Sequence, residues 1–281
     1  MGINDSPTLA IPAVVSPDIH TAIMDRLATI ESEHNVHILY ACESGSRGWG
    51  FASPDSDWDV RFIYVHPIQW YLSVTPGRDV IENPPDPVFD INGWDLRKTL
   101  GLLKKGNATL VEWLSSPIVY RSDPAFMHAI RDAAAEVHRS EQSFHHYLHM
   151  AQGNFAKYLD RDMVSTKKYL YVLRPLLACL WLESGRGVVP MLFSDLVEAL
   201  IRDPALKQAI ASLVAMKMSA NESARTAPLP ALHDYVMSLL SRFNTLAVAG
   251  GLPPVPGPAP DFAILDRLLV NTVMGKLKRP A

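Results

Sequence analysis

The chain has 281 residues, 48% of them hydrophobic and 20% charged, a composition that buries a substantial core and excludes a disordered or fibrous protein. A net charge of −3 supplies no global pull toward nucleic acid, so any polyanion must be held by a local basic patch. Two cysteines, Cys42 and Cys179, with no CxxC pattern, exclude a disulfide framework or zinc knuckle and point to a reducing, cytoplasmic setting.

The amino terminus lacks a basic stretch followed by an apolar one, and no apolar run approaches bilayer-spanning length, so neither export nor a membrane partner is expected. Ser16-Pro17-Asp18 reads as a helix start, followed by Ile23, Leu27 and Ile30 at helical spacing. Residues 36–42 and 57–65 read as strands that bracket a loop rich in glycine and serine. Short extended pieces at 80–81 and 88–91, around a Pro-Pro turn, extend the same sheet. Leu96, Leu100 and Leu103 then mark a helical face that stops at Gly106, where a C-terminal glycine is favoured. Asn107 caps a short helix with Glu112 and Trp113, 117–120 is a last strand, and Asp123-Pro124 opens another helix. Beyond it everything reads as helix: 140–160, 164–183, 194–201, 203–218, 230–248 and, after a proline-rich linker at 250–260, 261–274. The expected organisation is α+β: a mixed-sheet domain over 1–122, then an α-helical domain over 123–281.

The chemistry concentrates in 43–61. The glycine spacing is neither a dinucleotide fingerprint nor a P-loop. Gly45-Ser46 closes a strand with residues small enough for backbone N–H groups to approach phosphate oxygens. After ten intervening residues, Asp57 and Asp59 stand two apart on a strand and project from one face. Paired carboxylates repel, and a hard cation such as Mg²⁺ between them removes the repulsion. Arg61 shares that face, placed either for a leaving pyrophosphate or for charge balance, while Trp58, Val60 and Phe62 face the core. Two metals about 3.5–4 Å apart need a further acid. Asp90 is the choice, because Phe89 and Ile91 make the buried pair beside it, and Asp95 is the rival, with helix capping as its other role.

Gly45-Ser46 followed by Asp57-Trp58-Asp59-Val60 resembles the signature of the DNA polymerase beta nucleotidyltransferase superfamily, and Phe89-Asp90-Ile91 resembles the strand holding its third acid. The longer strings at 56–64, 93–98, 112–117 and 167–175 resemble the RNA repair pathway DNA polymerase beta family (RlaP-like). The resemblance spans roughly residues 39–182. It implies a polymerase-beta-like fold in which Asp57, Asp59 and Asp90 hold two Mg²⁺ ions and Gly45 and Ser46 meet the phosphates of an NTP. The acceptor hydroxyl, taken first as RNA, attacks the α-phosphorus and pyrophosphate leaves. Nucleotidylation of a small molecule or protein, or a silent nucleotide-binding module, are the other readings.

Lys167, Tyr171 and Arg174 recur on one helical face, which suits either a nucleotide or an ordinary solvated basic face; the resemblance implies that Lys168 and Arg174 bind nucleotide. Trp49 is expected to brace the glycine loop, and the histidines at 138, 145 and 149 to be structural or surface residues.

Overall fold

A computed structural model describes residues 15–75, 77–84, 86–159, 164–219, 225–226, 229–252 and 260–276. Contacts divide it into two compact units. One comprises the described parts of Ala13–Gly48, Asp57–Arg139 and Pro256–Ala281; the other comprises Trp49–Ser56 and the described part of Ser140–Val255.

The first unit opens with α1 (Pro17–His34), whose Ser16 side chain accepts from the Ile19 N–H and whose end is Asn35 in the left-handed region. Then follow β1 (His37–Glu43), the single turn α2 (Gly45–Gly48), β2 (Trp58–Val65), the short α3 (Ile68–Tyr71), β3 (Val80–Glu82), β4 (Phe89–Asp95), α4 (Leu96–Lys104), α5 (Ala108–Leu114), β5 (Val119–Ser122) and α6 (Pro124–Val137). The strands form one mixed sheet in the order β3-β4-β2-β1-β5, in which β2 and β4 are parallel and every other pair is antiparallel. The α+β expectation therefore holds. Asn107 and Asp123 cap α5 and α6 as their sequence positions imply, accepting from Leu110 and Phe126 N–H groups at 3.0 Å each.

Alternation along β2 builds the two faces. Trp58, Val60, Phe62 and Tyr64 join Ile23, Leu27 and Ile30 of α1 in one core. Ile63 joins Leu39 and Cys42 of β1 and the apolar faces of α4, α5 and α6 in the other. Burying these side chains contributes about 1.5–3 kcal/mol each. Asp59 and Arg61 share the parity of Ile63, which puts them on that second face. Gly93 pairs with Phe62 across the β2–β4 ladder, and a Cβ there would lie 2.1 Å from the phenyl ring.

The second unit contains α7 (Ser140–Tyr158), β6 (Val164–Ser165), α8 (Thr166–Glu183), α9 (Phe193–Leu200), α10 (Pro204–Ser219), β7 (Arg225–Thr226) and α11 (Pro230–Val248). Pro175 lies inside α8 and has no N–H for the Tyr171 carbonyl one turn back. The Asn154 side chain on α7 takes that carbonyl instead at 3.0 Å, so the helix continues.

Three expectations change. The helix after Asp123 packs in the sheet unit, since Phe126, Met127, Ile130 and Val137 of α6 enter its core. The last helix, α12 (Ala263–Val273), returns to the same core through Leu265 and Leu268. The contact boundary thus falls at 139/140 instead of 122. The region read as wholly helical also contains the antiparallel pair β6–β7, two residues per strand and too short to show a period. Most of the proline-rich linker lies outside the described residues.

The Gly93 contact generates a prediction. Gly93→Ala should lower stability by about 1–3 kcal/mol through overpacking, seen as a reduced Tm, and Phe62→Leu in the same chain should restore part of it. An unchanged Tm for Gly93→Ala would contradict the close packing.

Candidate active site

The parallel register of β2 and β4 sets Asp59 opposite Asp90 and Arg61 opposite Asn92. Arg61 joins the two acids: its Nη2 donates to Asp59 Oδ1 at 2.9 Å and to Asp90 Oδ2 at 2.7 Å, and its Nη1 donates to the Asp90 carbonyl at 2.7 Å. The Asn92 amide donates to the remaining oxygen, Asp90 Oδ1. The Asp59 and Arg61 side chains are 19% and 16% exposed whereas Asp90 is 44% exposed, so the cluster opens to solvent on the Asp90 side.

Burial pushes the Asp59 carboxyl up to about 6; Arg61 opposes the rise, and the negative charges of Asp57 and Asp90 add to it. Across the β2–β4 ladder the Asp59 and Asp90 carboxylates share the single Arg61 guanidinium, an excess of one negative charge. Asp59 and Asp90 therefore fit a divalent cation by charge and by donor type. Among the described residues no three acidic, histidine or cysteine side chains form a ready-made metal cluster. Asp57 is exposed and lies one residue before β2, where its charge acts on Asp59.

The chain around Gly45 is pressed against the same carboxylate. Gly45 has φ +53°, and a Cβ on it would fall 1.9 Å from Asp59 Oδ2. Only glycine tolerates both the backbone region and the approach. Ser46 follows within α2 and is buried. The Ser44 N–H donates to the Asp59 carbonyl at 2.8 Å, which ties this turn to β2. Arg47 lies with its guanidinium 3.8 Å over the Trp58 ring and donates from Nε to the Asp57 carbonyl at 3.1 Å.

Sequence reasoning passed over Glu43. It ends β1 fully buried, accepting from the Asp59 N–H at 3.0 Å on one oxygen and from the Tyr120 hydroxyl at 2.7 Å on the other. It fixes the backbone from which Asp59 projects. Its only sequence signal is an acid closing an apolar strand directly before the Ser-Gly-Ser turn.

Asp95 takes the capping role. It is buried at the start of α4, accepting from the Arg97 N–H at 2.8 Å and the Tyr71 hydroxyl at 2.6 Å. Its odd position in β4 separates it from Asp90.

A family model for the RNA repair pathway DNA polymerase beta family matches residues 19–271. The chain belongs to that family. It is 42% identical over 252 residues to the uncharacterized protein YcgL of Bacillus subtilis (strain 168), covering 89% of this chain and 95% of the relative. The crystal structure of a nucleotidyltransferase-like protein from Exiguobacterium sibiricum overlaps with a TM-score of 0.29 at 14% identity, covering 90% of this chain and 77% of that one, too low a score to bear on the argument. Membership in this polymerase-beta-type family makes the chain a nucleotidyltransferase.

The helical unit of this family member holds the remaining sequence-derived candidates. Arg174, expected to reach a nucleotide, is instead 1% exposed, with its guanidinium 4.7 Å over the Trp49 ring and Nη2 donating to the Met191 carbonyl at 3.1 Å. Burial against an indole gives it a bracing part. Trp49 packs edge-on to Tyr171 and beside Phe51, which is the expected brace of the loop. Lys168 is partly exposed, its ammonium 4.2 Å over the Tyr158 ring and 4.8 Å over that of Tyr171. The side chain of Lys167 lies outside the described residues.

Glu43 yields a pH prediction. Burial pushes its carboxyl up to about 7, while the unfolded chain has an ordinary value near 4.3. The folded state then holds more protons than the unfolded state between those values, so the Glu43 contribution to stability falls as pH rises through that window. In metal-free buffer, wild-type stability should decline relative to Glu43→Gln from pH 5 to 8, by on the order of 3 kcal/mol. Parallel stability curves would contradict the assignment.

Proposed function

We propose that this nucleotidyltransferase uses Mg²⁺ to transfer a nucleoside monophosphate from an NTP to an RNA hydroxyl, releasing pyrophosphate. The observation that carries the reading is the Asp59–Arg61–Asp90 cluster beside Gly45. Two acids and a cation sit against a turn at Gly45 whose missing side chain lets the Asp59 carboxylate approach the backbone.

In this reading Asp57, Asp59 and Asp90 hold two Mg²⁺ ions, which when bound lower the pKa of the acceptor hydroxyl and offset triphosphate charge. Gly45 and Ser46 receive the β and γ phosphates through backbone N–H and hydroxyl groups. Arg61 releases the carboxylates and follows the negative charge of the triphosphate. The acceptor oxygen bonds to the α-phosphorus as the bond to the β-phosphate oxygen breaks, and the electron pair leaves with pyrophosphate. Asp90, the more open acid, takes the acceptor proton. Lys168 remains a nucleotide-binding candidate in this reading, and Arg174 is buried against Trp49.

The free, buried cysteines support a reducing, cytoplasmic location. No helix among the described residues is long and apolar enough to cross a membrane. The net charge of −3 favours one second reading, transfer to a small molecule or a protein.

Incubation with labelled NTPs, Mg²⁺ and an RNA pool should label RNA and release pyrophosphate. Asp59→Asn or Asp90→Asn should cut the rate by at least about a hundredfold, the upper end of the loss seen for outer-shell partners of a metal. Asp95→Asn should keep most of it, because asparagine caps a helix nearly as well. Label in protein or metabolite alone would replace RNA as the acceptor, and full activity in Asp90→Asn would remove that acid from the site.

A further inference from the structure

Asp90 is the more open of the two acids on the ladder, and its carboxylate is held at both oxygens from within the sheet. Arg61 of β2 donates to Oδ2 at 2.7 Å, and Asn92, two residues further along β4, donates to Oδ1 at 2.5 Å. Asp90 and Asn92 share a face because they stand two apart on one strand. The register also sets Asn92 opposite Arg61 on one side and Glu82 of β3 on the other. The amide is thus the neutral member of a row between a cation and an acid.

Asparagine is depleted from strands, yet here it occupies β4, which lies between β3 and β2 inside the sheet. What it supplies is a hydrogen-bond donor without a charge. An acid in this position would compete with Asp90 for Arg61, and a cation would neutralise Asp90 permanently and compete with any metal for it. The amide does neither. The two grips on Asp90 therefore differ in kind: the proposed reading moves Arg61 from Oδ2 to the triphosphate, whereas Asn92 keeps Oδ1. Without that second bond a carboxylate 44% exposed would regain its rotamer freedom once the guanidinium has gone.

We propose that Asn92 is a positioning residue for Asp90, keeping Oδ1 engaged so that Oδ2, vacated by Arg61, is the oxygen presented to the cation. This rests on the reading of Asp90 as a metal ligand made above. Asn92 touches neither metal nor substrate in this account and acts through Asp90 alone. The two acids are then fixed by different means, Asp59 through its backbone N–H by Glu43 and Asp90 through its side chain by Asn92.

The test titrates the full chain with Mn²⁺ in the presence of α,β-methylene-ATP and follows the loss of the free Mn²⁺ signal in electron paramagnetic resonance, with Tm measured in parallel without metal. Asn92→Leu keeps a side chain of similar size, branched at the same carbon, and removes the donor. Its Mn²⁺ affinity per folded molecule should fall about tenfold, as for loss of an outer partner of a metal ligand. Asp90→Asn should lose at least as much, and Asn92→Leu combined with Asp90→Asn should bind no more weakly than Asp90→Asn alone. A purely structural asparagine would shift Tm and leave affinity per folded molecule unchanged. Should Asn92→Leu fail to fold, Asn92→Ala takes its place and must show the same loss and the same coupling.

Wild-type affinity in Asn92→Leu, or in Asn92→Ala where that variant stands in, would overturn the proposal, as would losses that add to that of Asp90→Asn. Wild-type affinity in Asp90→Asn, or no Mn²⁺ uptake by the wild-type chain, would remove the metal reading on which the proposal rests. That result is distinct from a site that needs Asp90 and ignores Asn92.

Discussion

The pairing of β2 with β4 in parallel register forces two acids to face each other, and Arg61 is the cation that lets them do so. Asp59 and Asp90 are opposite in the ladder, and their side chains meet the same guanidinium nitrogen. Removing one partner from such a partly buried cluster leaves charge uncompensated, which costs more than the ion pairs contribute. The cluster therefore constrains its surroundings: Gly45 must be bare, Glu43 must hold the Asp59 N–H, and Asn92 must serve the last Asp90 oxygen. An arginine in this position offsets the mutual repulsion of the two acids. In the proposed reading the same arginine moves to phosphate, because guanidinium pairs with carboxylate and phosphate in similar geometry.

Electrostatics on the two sides of the cluster differ in kind. Glu43 and Asp59 are pushed toward neutrality by burial, so protonation stabilises the sheet unit in the absence of metal. Asp57 is exposed, and Arg47 holds its carbonyl. A pair of acids thus stands on the sheet, and a third acid, Asp57, stands one residue before β2.

Much of this was legible in the sequence for a local reason. Strand alternation alone set Asp59 and Arg61 against Trp58, Val60 and Phe62, and Asp90 against Phe89 and Ile91. Short polar residues before apolar periods marked the caps at Ser16, Asp95, Asn107 and Asp123. What escaped was tertiary. Glu43 matters through Tyr120, 77 positions away, and Lys217 meets Ser53 across 164 positions. Arg174 looks like a solvated cation in a basic helix, yet Trp49 and the Met191 carbonyl enclose it. The boundary near 122 was read from a change of period, but α6 and α12 carry apolar faces that belong to the sheet core, which no period reveals.

The central claim is that Asp59 and Asp90 exchange Arg61 for a divalent cation when nucleotide binds. A crystal of the full chain grown with Mn²⁺ and α,β-methylene-ATP tests it directly, through the anomalous signal of the metal. The account predicts an anomalous peak about 2.1 Å from carboxylate oxygens of both Asp59 and Asp90, with Arg61 turned from them toward the triphosphate. Bound nucleotide with no peak there, and Arg61 still bridging the two acids, would contradict it.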